Sequence, residues 1–122
     1  DISDFCQIAG YRQDVDLFEK ITDICFSASI REGLPINVVE GMACGTVCIC
    51  SKNRGHNSLI RNNENGLLFD LKDPKEMVEK ILKVYKDKDL AKVLGQEAYK
   101  DSKQYSVDIA EKKLSEIYKS IL

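Results

Sequence analysis

The sequence predicts an α/β fold in which a parallel sheet is flanked by helices and followed by a helical C-terminal tail. Three observations carry this expectation. Short apolar runs alternate with segments of helical periodicity as far as Phe69. The connections between the runs are long enough for crossover helices, which parallel strands require and hairpins do not. From Asp73 onward the pattern is helical only, so the sheet is complete before the tail begins.

The runs FCQIA (5 to 9), ICFSA (24 to 28), VCIC (47 to 50) and GLLF (66 to 69) read as four buried strands. Between the first two, Asp14 is placed to cap a helix carrying Leu17, Phe18 and Ile21 at helical spacing. Pro35 disfavours helical backbone at Leu34 and suits a first helical turn, so the next helix is expected from about Pro35 to just before Gly45. Ile36, Val39 and Ala43 then form its apolar face, with Glu40 at the border. SKNRGHNS (51 to 58) reads as a polar loop. At DPKEMVEKILKVY, Asp73 is an N-cap, Pro74 the first helical residue and Glu76 the partner in a capping box. Met77, Val78, Ile81, Leu82 and Tyr85 make the stripe of this helix. Leu90, Val93, Leu94 and Ala98 mark a further helix. The last is expected from near Ser106, with Ala110, Leu114, Ile117, Tyr118 and Ile121 on one face.

Residues 1–122 read as a single domain, with 43% hydrophobic and 31% charged residues, the balance of an ordinary globular chain. A net charge of -2 offers no field for polyanions, so nucleic acid is not expected as a partner. No apolar run approaches the roughly 20 residues of a membrane-spanning helix. The start, DISDFCQIAG, has no basic and apolar signal region and enters almost directly on a strand, so a fragment lacking its upstream part is expected. An odd count of five cysteines (6, 25, 44, 48, 50) without such a signal points to reduced thiols in a cytoplasmic setting. Cys44, Cys48 and Cys50 read as small buried apolar residues, and without a C-x-x-C pair or a second histidine beside His56, no metal site is expected.

In an open parallel sheet, ligands bind beyond the carboxyl ends of the strands, where loops and helix N-termini converge. SIREGLP (29 to 35) and SKNRGHNS follow the second and third runs and should face one crevice. Free N–H groups at residues 33 to 36 would favour an anionic or hydroxyl-rich ligand there. Glu32 and Glu40 could each accept two hydroxyl hydrogen bonds, as a vicinal diol presents. The structural alternative is a solvated Glu32 and a Glu40 paired with Arg54 or Arg31. Arg54 and His56 are open between ligand contact and solvation. A phosphoacceptor receiver domain is disfavoured, because runs ending in Ala28 and Ser51 offer no aspartate at the strand end.

EGLPINVVE (32 to 40), followed by GMACGTVCICS, NRGHNSLI and NENGLLF, resembles the E-x(7)-E region of retaining, nucleotide-sugar-dependent glycosyltransferases of group 1 (family 4 type). The likeness covers nearly the whole chain, from GYRQDV to the helical tail. It implies a Rossmann-like domain, part of the C-terminal, donor-binding half of a two-domain GT-B enzyme, with the acceptor-binding N-terminal domain upstream of this chain.

The resemblance implies that Glu32 is the catalytic carboxylate beside the anomeric carbon and that Glu40 binds the ribose. Gly33 and Leu34 would offer N–H groups to the donor sugar; Pro35 beside them and Arg54, a contact for phosphate or acceptor, are added as candidate donor-site residues. No metal or other cofactor is implied. Retention would proceed by front-face displacement, assisted by the leaving diphosphate. The partners implied are a nucleotide-sugar donor and a saccharide or lipid-linked acceptor, with the full-length protein at the inner face of the membrane in polysaccharide or glycoconjugate synthesis. The sequence departs from the common pattern at Gly41 (usually Ala), at Leu34-Pro35 (usually Phe-Gly) and at Ser58 (usually Glu). A non-catalytic nucleotide-sugar-binding module and a sugar-nucleotide epimerase are the alternatives.

Overall fold

A computed structural model describes residues 1–121. Its sheet has three parallel strands in sequence order: β1 (Ile24–Ser27), β2 (Val47–Ser51) and β3 (Leu67–Phe69). The register pairs Cys25 with Cys48, Ser27 with Cys50 and Ile49 with Leu67. The helices are α1 (Val15–Ile21), α2 (Ile36–Ala43), α3 (Arg54–Leu59), α4 (Pro74–Lys86), α5 (Lys88–Ser102) and α6 (Val107–Ile121). An α/β chain with helices on both faces of a parallel sheet, and a helical tail, is what the alternating pattern predicts.

The period-two alternation of β2 divides the core. Cys48 and Cys50 face Val38 and Met42 of α2, Leu59 of α3 and Ala98 of α5. Val47 and Ile49 face the opposite way, toward Val84 of α4 and Leu94 of α5, with Met77 and Ile81 packed alongside. All five residues of β2 are buried, which is why its run has no polar residue before Ser51. α5 thus supplies both layers. It can do so because it crosses the amino end of β2, where Gly95 lies against Gly45. The carboxyl ends of the strands are left open at the other edge.

Several sequence expectations are corrected. FCQIA is not a strand: a 3-10 turn at Ser3–Phe5 leads into chain that joins no sheet, with Phe5 89% and Ile8 96% exposed. An apolar run forms a strand only where a neighbour pairs its N–H and C=O groups, and among the described residues β1 pairs with β2 alone. SKNRGHNS is not a loop throughout, because Asn53 caps α3 by accepting the His56 N–H at 2.9 Å. Asp14 precedes α1 but makes no cap bond, its carboxylate being bound instead by Arg12. The buried face of α2 is Val38, Gly41 and Met42; Ile36 is 56% exposed, Ala43 is exposed and Val39 only half-buried.

Asp73 does cap α4, accepting from Lys75 and Glu76 N–H groups. Glu76, however, reaches back to the N–H of Asp70 at 2.7 Å rather than to its cap residue. The packed stripe of α4 is Met77, Ile81 and Val84, leaving Val78, Leu82 and Tyr85 outward. In α5, Leu94 and Ala98 are buried as expected while Val93 is exposed, and α6 presents Leu114, Ile117, Tyr118 and Ile121 uncovered among the described residues. Cys48 and Cys50 are buried but Cys44 is exposed, since it ends α2 beyond the packed face.

The turn leading to β3 is fastened from within. Asn65 is fully buried; its amide donates to the Leu59 carbonyl (3.0 Å) and to Asp101 of α5 (2.7 Å), while its oxygen accepts the Arg61 N–H (2.7 Å). Three satisfied hydrogen bonds make a polar residue acceptable in this core.

Candidate functional site

At the open edge, the chain leaving β1 and the chain leaving β2 meet. Arg31, Glu32 and Gly33 from the first and Arg54 from the second line a crevice of about 460 Å³. The contact between the two segments is close. A methyl group at Gly55 would lie 2.6 Å from Glu32 Cβ and 2.7 Å from the Gly33 carbonyl oxygen, so only a glycine lets the first turn of α3 approach. This contact seats the half-buried Glu32 against α3.

Neither Arg31 nor Arg54 has an ion-pair partner among the described residues, and both line the crevice together with the carboxylate-bearing Glu32. Such a site suits a ligand carrying both hydroxyls and negative charge. The N–H groups of Gly33 and Leu34 meet no acceptor within the described residues. Leu34 is 49% exposed and Pro35, the N-cap residue of α2, is buried; neither lines the crevice.

Glu40 is placed differently from Glu32. It lies on the outward face of α2, one turn from Ile36, exposed and without a hydrogen bond or ion pair among the described residues. The pairing with Arg54 or Arg31 that the sequence left open is thus absent. Its apolar sequence neighbours belong to the far side of the helix. The nearby carboxylate is Glu19 of α1, which the sequence gave no reason to single out: its Oε2 is buried without a partner, and a methyl at Gly41 would come within 3.3 Å of it. Partial burial pushes the Glu19 carboxyl up, and the like charge of Glu40 adds to the shift.

His56, left open between ligand contact and solvation, is neither exposed nor lining the crevice; it is 0% exposed, behind the site. Its Nδ1 lies 2.7 Å from the Ser51 carbonyl oxygen and 2.8 Å from Asn53 Nδ2. Asn53 Nδ2 and Ser51 Oγ both donate to the Ser29 carbonyl, at 2.9 and 2.6 Å. Arg31, which the sequence offered as a partner for Glu40, lines the crevice with Arg54 instead. Among the described residues no group of three or more His, Cys, Asp or Glu side chains is arranged to hold a metal ion.

An open parallel sheet with a polar, charged crevice at its carboxyl edge defines a ligand-binding α/β domain. The profile of the family described as "Glycosyl transferases group 1" matches residues 1–101, and the chain belongs to that family. EpsD of Bacillus subtilis (strain 168), a protein named as a glycosyltransferase, is 34% identical over 93% of the chain and 30% of its own length. A Campylobacter jejuni enzyme named N,N'-diacetylbacillosaminyl-diphospho-undecaprenol alpha-1,3-N-acetylgalactosaminyltransferase is 30% identical over the same shares. Among solved structures, a glycosyltransferase from Rickettsia africae ESF-5 superposes with a TM-score of 0.87 at 29% identity, covering 94% of the chain and 31% of the other. Anabaena Alr3699/HepE, solved in complex with UDP and glucose, reaches 0.88 at 22% identity, covering 93% and 32%, a likeness of fold. The chain thus spans about 30% of the length of these curated relatives.

Proposed function

We propose that this chain is part of the donor-binding half of a retaining glycosyltransferase, which moves a sugar from a nucleoside diphosphate sugar to an acceptor hydroxyl in polysaccharide or glycoconjugate synthesis. The observation that carries this reading is that Glu32 lines the crevice at the strand ends together with Arg31, Gly33 and Arg54. The Anabaena protein of the same fold was solved in complex with UDP and glucose, and the name of the Campylobacter relative contains a diphospho-undecaprenol-linked sugar, which supports this reading. On this reading the acceptor is a saccharide or lipid-linked sugar held by a separate N-terminal domain. The full-length protein is cytoplasmic and works peripherally at the inner membrane face. Among the described residues no helix is long and apolar enough to cross a membrane.

In the reaction, the bond from the anomeric carbon to the diphosphate breaks while the acceptor oxygen bonds to the same face. The acceptor proton passes to a phosphate oxygen of the leaving nucleotide. Glu32 faces the positive charge that develops at the anomeric carbon, the N–H groups of Gly33 and Leu34 hold the donor sugar, and Arg54 faces the phosphates. Pro35 fixes the start of α2, so that Glu40, a turn later, accepts the ribose hydroxyls. No metal takes part.

The test is a transfer assay of the full-length protein with labelled UDP- and GDP-sugars and a polyprenyl-diphosphate-linked sugar, with the anomeric configuration of the product read by NMR. A product with the configuration of the donor supports the proposal, and hydrolysis or epimerisation without transfer contradicts it. Within the same protein, Glu40→Gln replaces a charged acceptor by an amide and should weaken donor binding by roughly 1 to 3 kcal/mol while leaving the fold intact, since the side chain is exposed. Calorimetric titration with the donor nucleotide measures this directly. An affinity unchanged within experimental error would remove Glu40 from the ribose site.

A further inference from the structure

The imidazole of His56 is fully buried, yet its Nε2 has no hydrogen-bond partner among the described residues. Its other nitrogen explains why a polar ring is there. The 2.7 Å contact between Nδ1 and the Ser51 carbonyl is a hydrogen bond when Nδ1 carries the ring proton; the 2.8 Å approach of Asn53 Nδ2 to Nδ1 is then a contact between two donors, with the Asn53 amide donating to the Ser29 carbonyl instead, and Nε2 is left as a bare lone pair. An apolar side chain of similar size would have avoided that unpartnered atom, which costs free energy in a dry interior. What the ring provides lies on the side of the site. The backbone N–H of the same residue, which any non-proline side chain here would keep, binds Asn53 Oδ1 and turns the amide so that Nδ2 faces the Ser29 carbonyl. The ring Nδ1 holds the Ser51 carbonyl, beside the Ser51 hydroxyl that binds the same Ser29 oxygen. Ser29 stands three residues before Glu32 on a segment without regular structure. Gly55, the residue before His56, is the one pressed against Glu32 and Gly33.

We propose that His56 is a positioning residue for Glu32, its ring acting through the Ser51 carbonyl it binds, beside the Ser51 hydroxyl that holds the Ser29 carbonyl. The inference rests on the reading of Glu32 as the carboxylate facing the anomeric carbon. The strand β1 ends at Ser27, so the chain that carries Glu32 has no ladder of its own to hold it. Two donors on one carbonyl, and a close glycine contact behind the glutamate, supply that constraint from across the crevice. The cost of losing it is a misplaced carboxylate rather than a lost contact with donor.

Variants of the full-length enzyme separate this role from a merely structural one. In His56→Asn the amide nitrogen takes the place of Nδ1 and keeps the donor to Ser51. In His56→Gln it sits near the Nε2 position, and in His56→Leu there is none. His56→Leu and His56→Gln are expected to lower kcat by about tenfold or more with little change in KM for the nucleotide sugar, and His56→Asn to restore most of the turnover. In a Glu32→Ala background, His56→Leu should cost almost nothing further, because the two residues act as one unit. Equal turnover for the Asn and Gln variants at matched melting temperatures, or full additivity with Glu32→Ala, would overturn the proposal. Should His56→Leu not fold, the Asn and Gln pair carries the comparison alone. Glu32→Ala measured by itself keeps the two levels apart: a normal turnover there refutes the role of Glu32, whereas a deficient Glu32→Ala with a fully active His56→Gln refutes only the positioning.

Discussion

Gly95→Ala is expected to destabilise the domain by roughly 3 kcal/mol or more, at the upper end of the cost of overpacking. The added methyl would lie 2.0 Å from the Gly45 carbonyl oxygen and 3.0 Å from its carbonyl carbon. Both obstacles are backbone, so no side chain can swing aside. Nor can Gly45 yield easily: it holds a φ of +73° to turn the chain from α2 into β2. Helix propensity argues the other way, since alanine in the middle of α5 should gain about 1 kcal/mol over glycine. The sign of the measured change therefore decides which effect rules. Urea unfolding of the full-length protein, followed through the transition of this domain, gives the answer. A stabilised variant would mean that α5 does not cross the amino end of β2 at this distance.

Glu32→Ala is expected to lower turnover by about a thousandfold while changing donor affinity far less. Opposite charges about 4 Å apart interact by roughly 4 kcal/mol at an effective dielectric constant near 20, and that attraction exists only as the anomeric carbon becomes cationic. On the proposed reading Glu32 meets only donor hydroxyls in the ground state, so its removal should touch binding lightly. Single-turnover rates and donor titrations on the purified variant separate the two quantities. Equal losses in both would assign Glu32 to ground-state binding instead.

The contrast between these residues shows what the sequence discloses. The uniform burial of β2 and the Asp73 cap of α4 are local properties, legible from VCIC and from D-P-K-E, and the structure agrees with both. α2 was harder, because it has two apolar faces. Ile36, Val39 and Ala43 form one and Val38 with Met42 the other, and the choice between them belongs to the strands beneath. Choosing the wrong face also put Glu40 at the border of the core. For the crevice, the rule that loops after parallel strands converge brought Glu32 and Arg54 together correctly. The network of His56 was not legible, since it ends on the backbone oxygen of Ser29 and a carbonyl has no signature in the sequence. SKNRGHNS did carry one usable clue, Asn53 three residues ahead of an N–H it could cap.

The pairing of Cys25 with Cys48 in register, with Cys50 beside them on the same face, has a kinetic consequence. Only thiolates react with disulfide reagents. Burial pushes Cys50 up to about 12, and the hydrogen bond with Cys25, followed by burial, holds Cys48 well above its ordinary value. Cys6 and Cys44 lie exposed and are open to reagent at once. Cys48 and Cys50 wait for the sheet to open, so the slow phase of their labelling measures how often β2 parts from its neighbours, residue-specific and without any added probe.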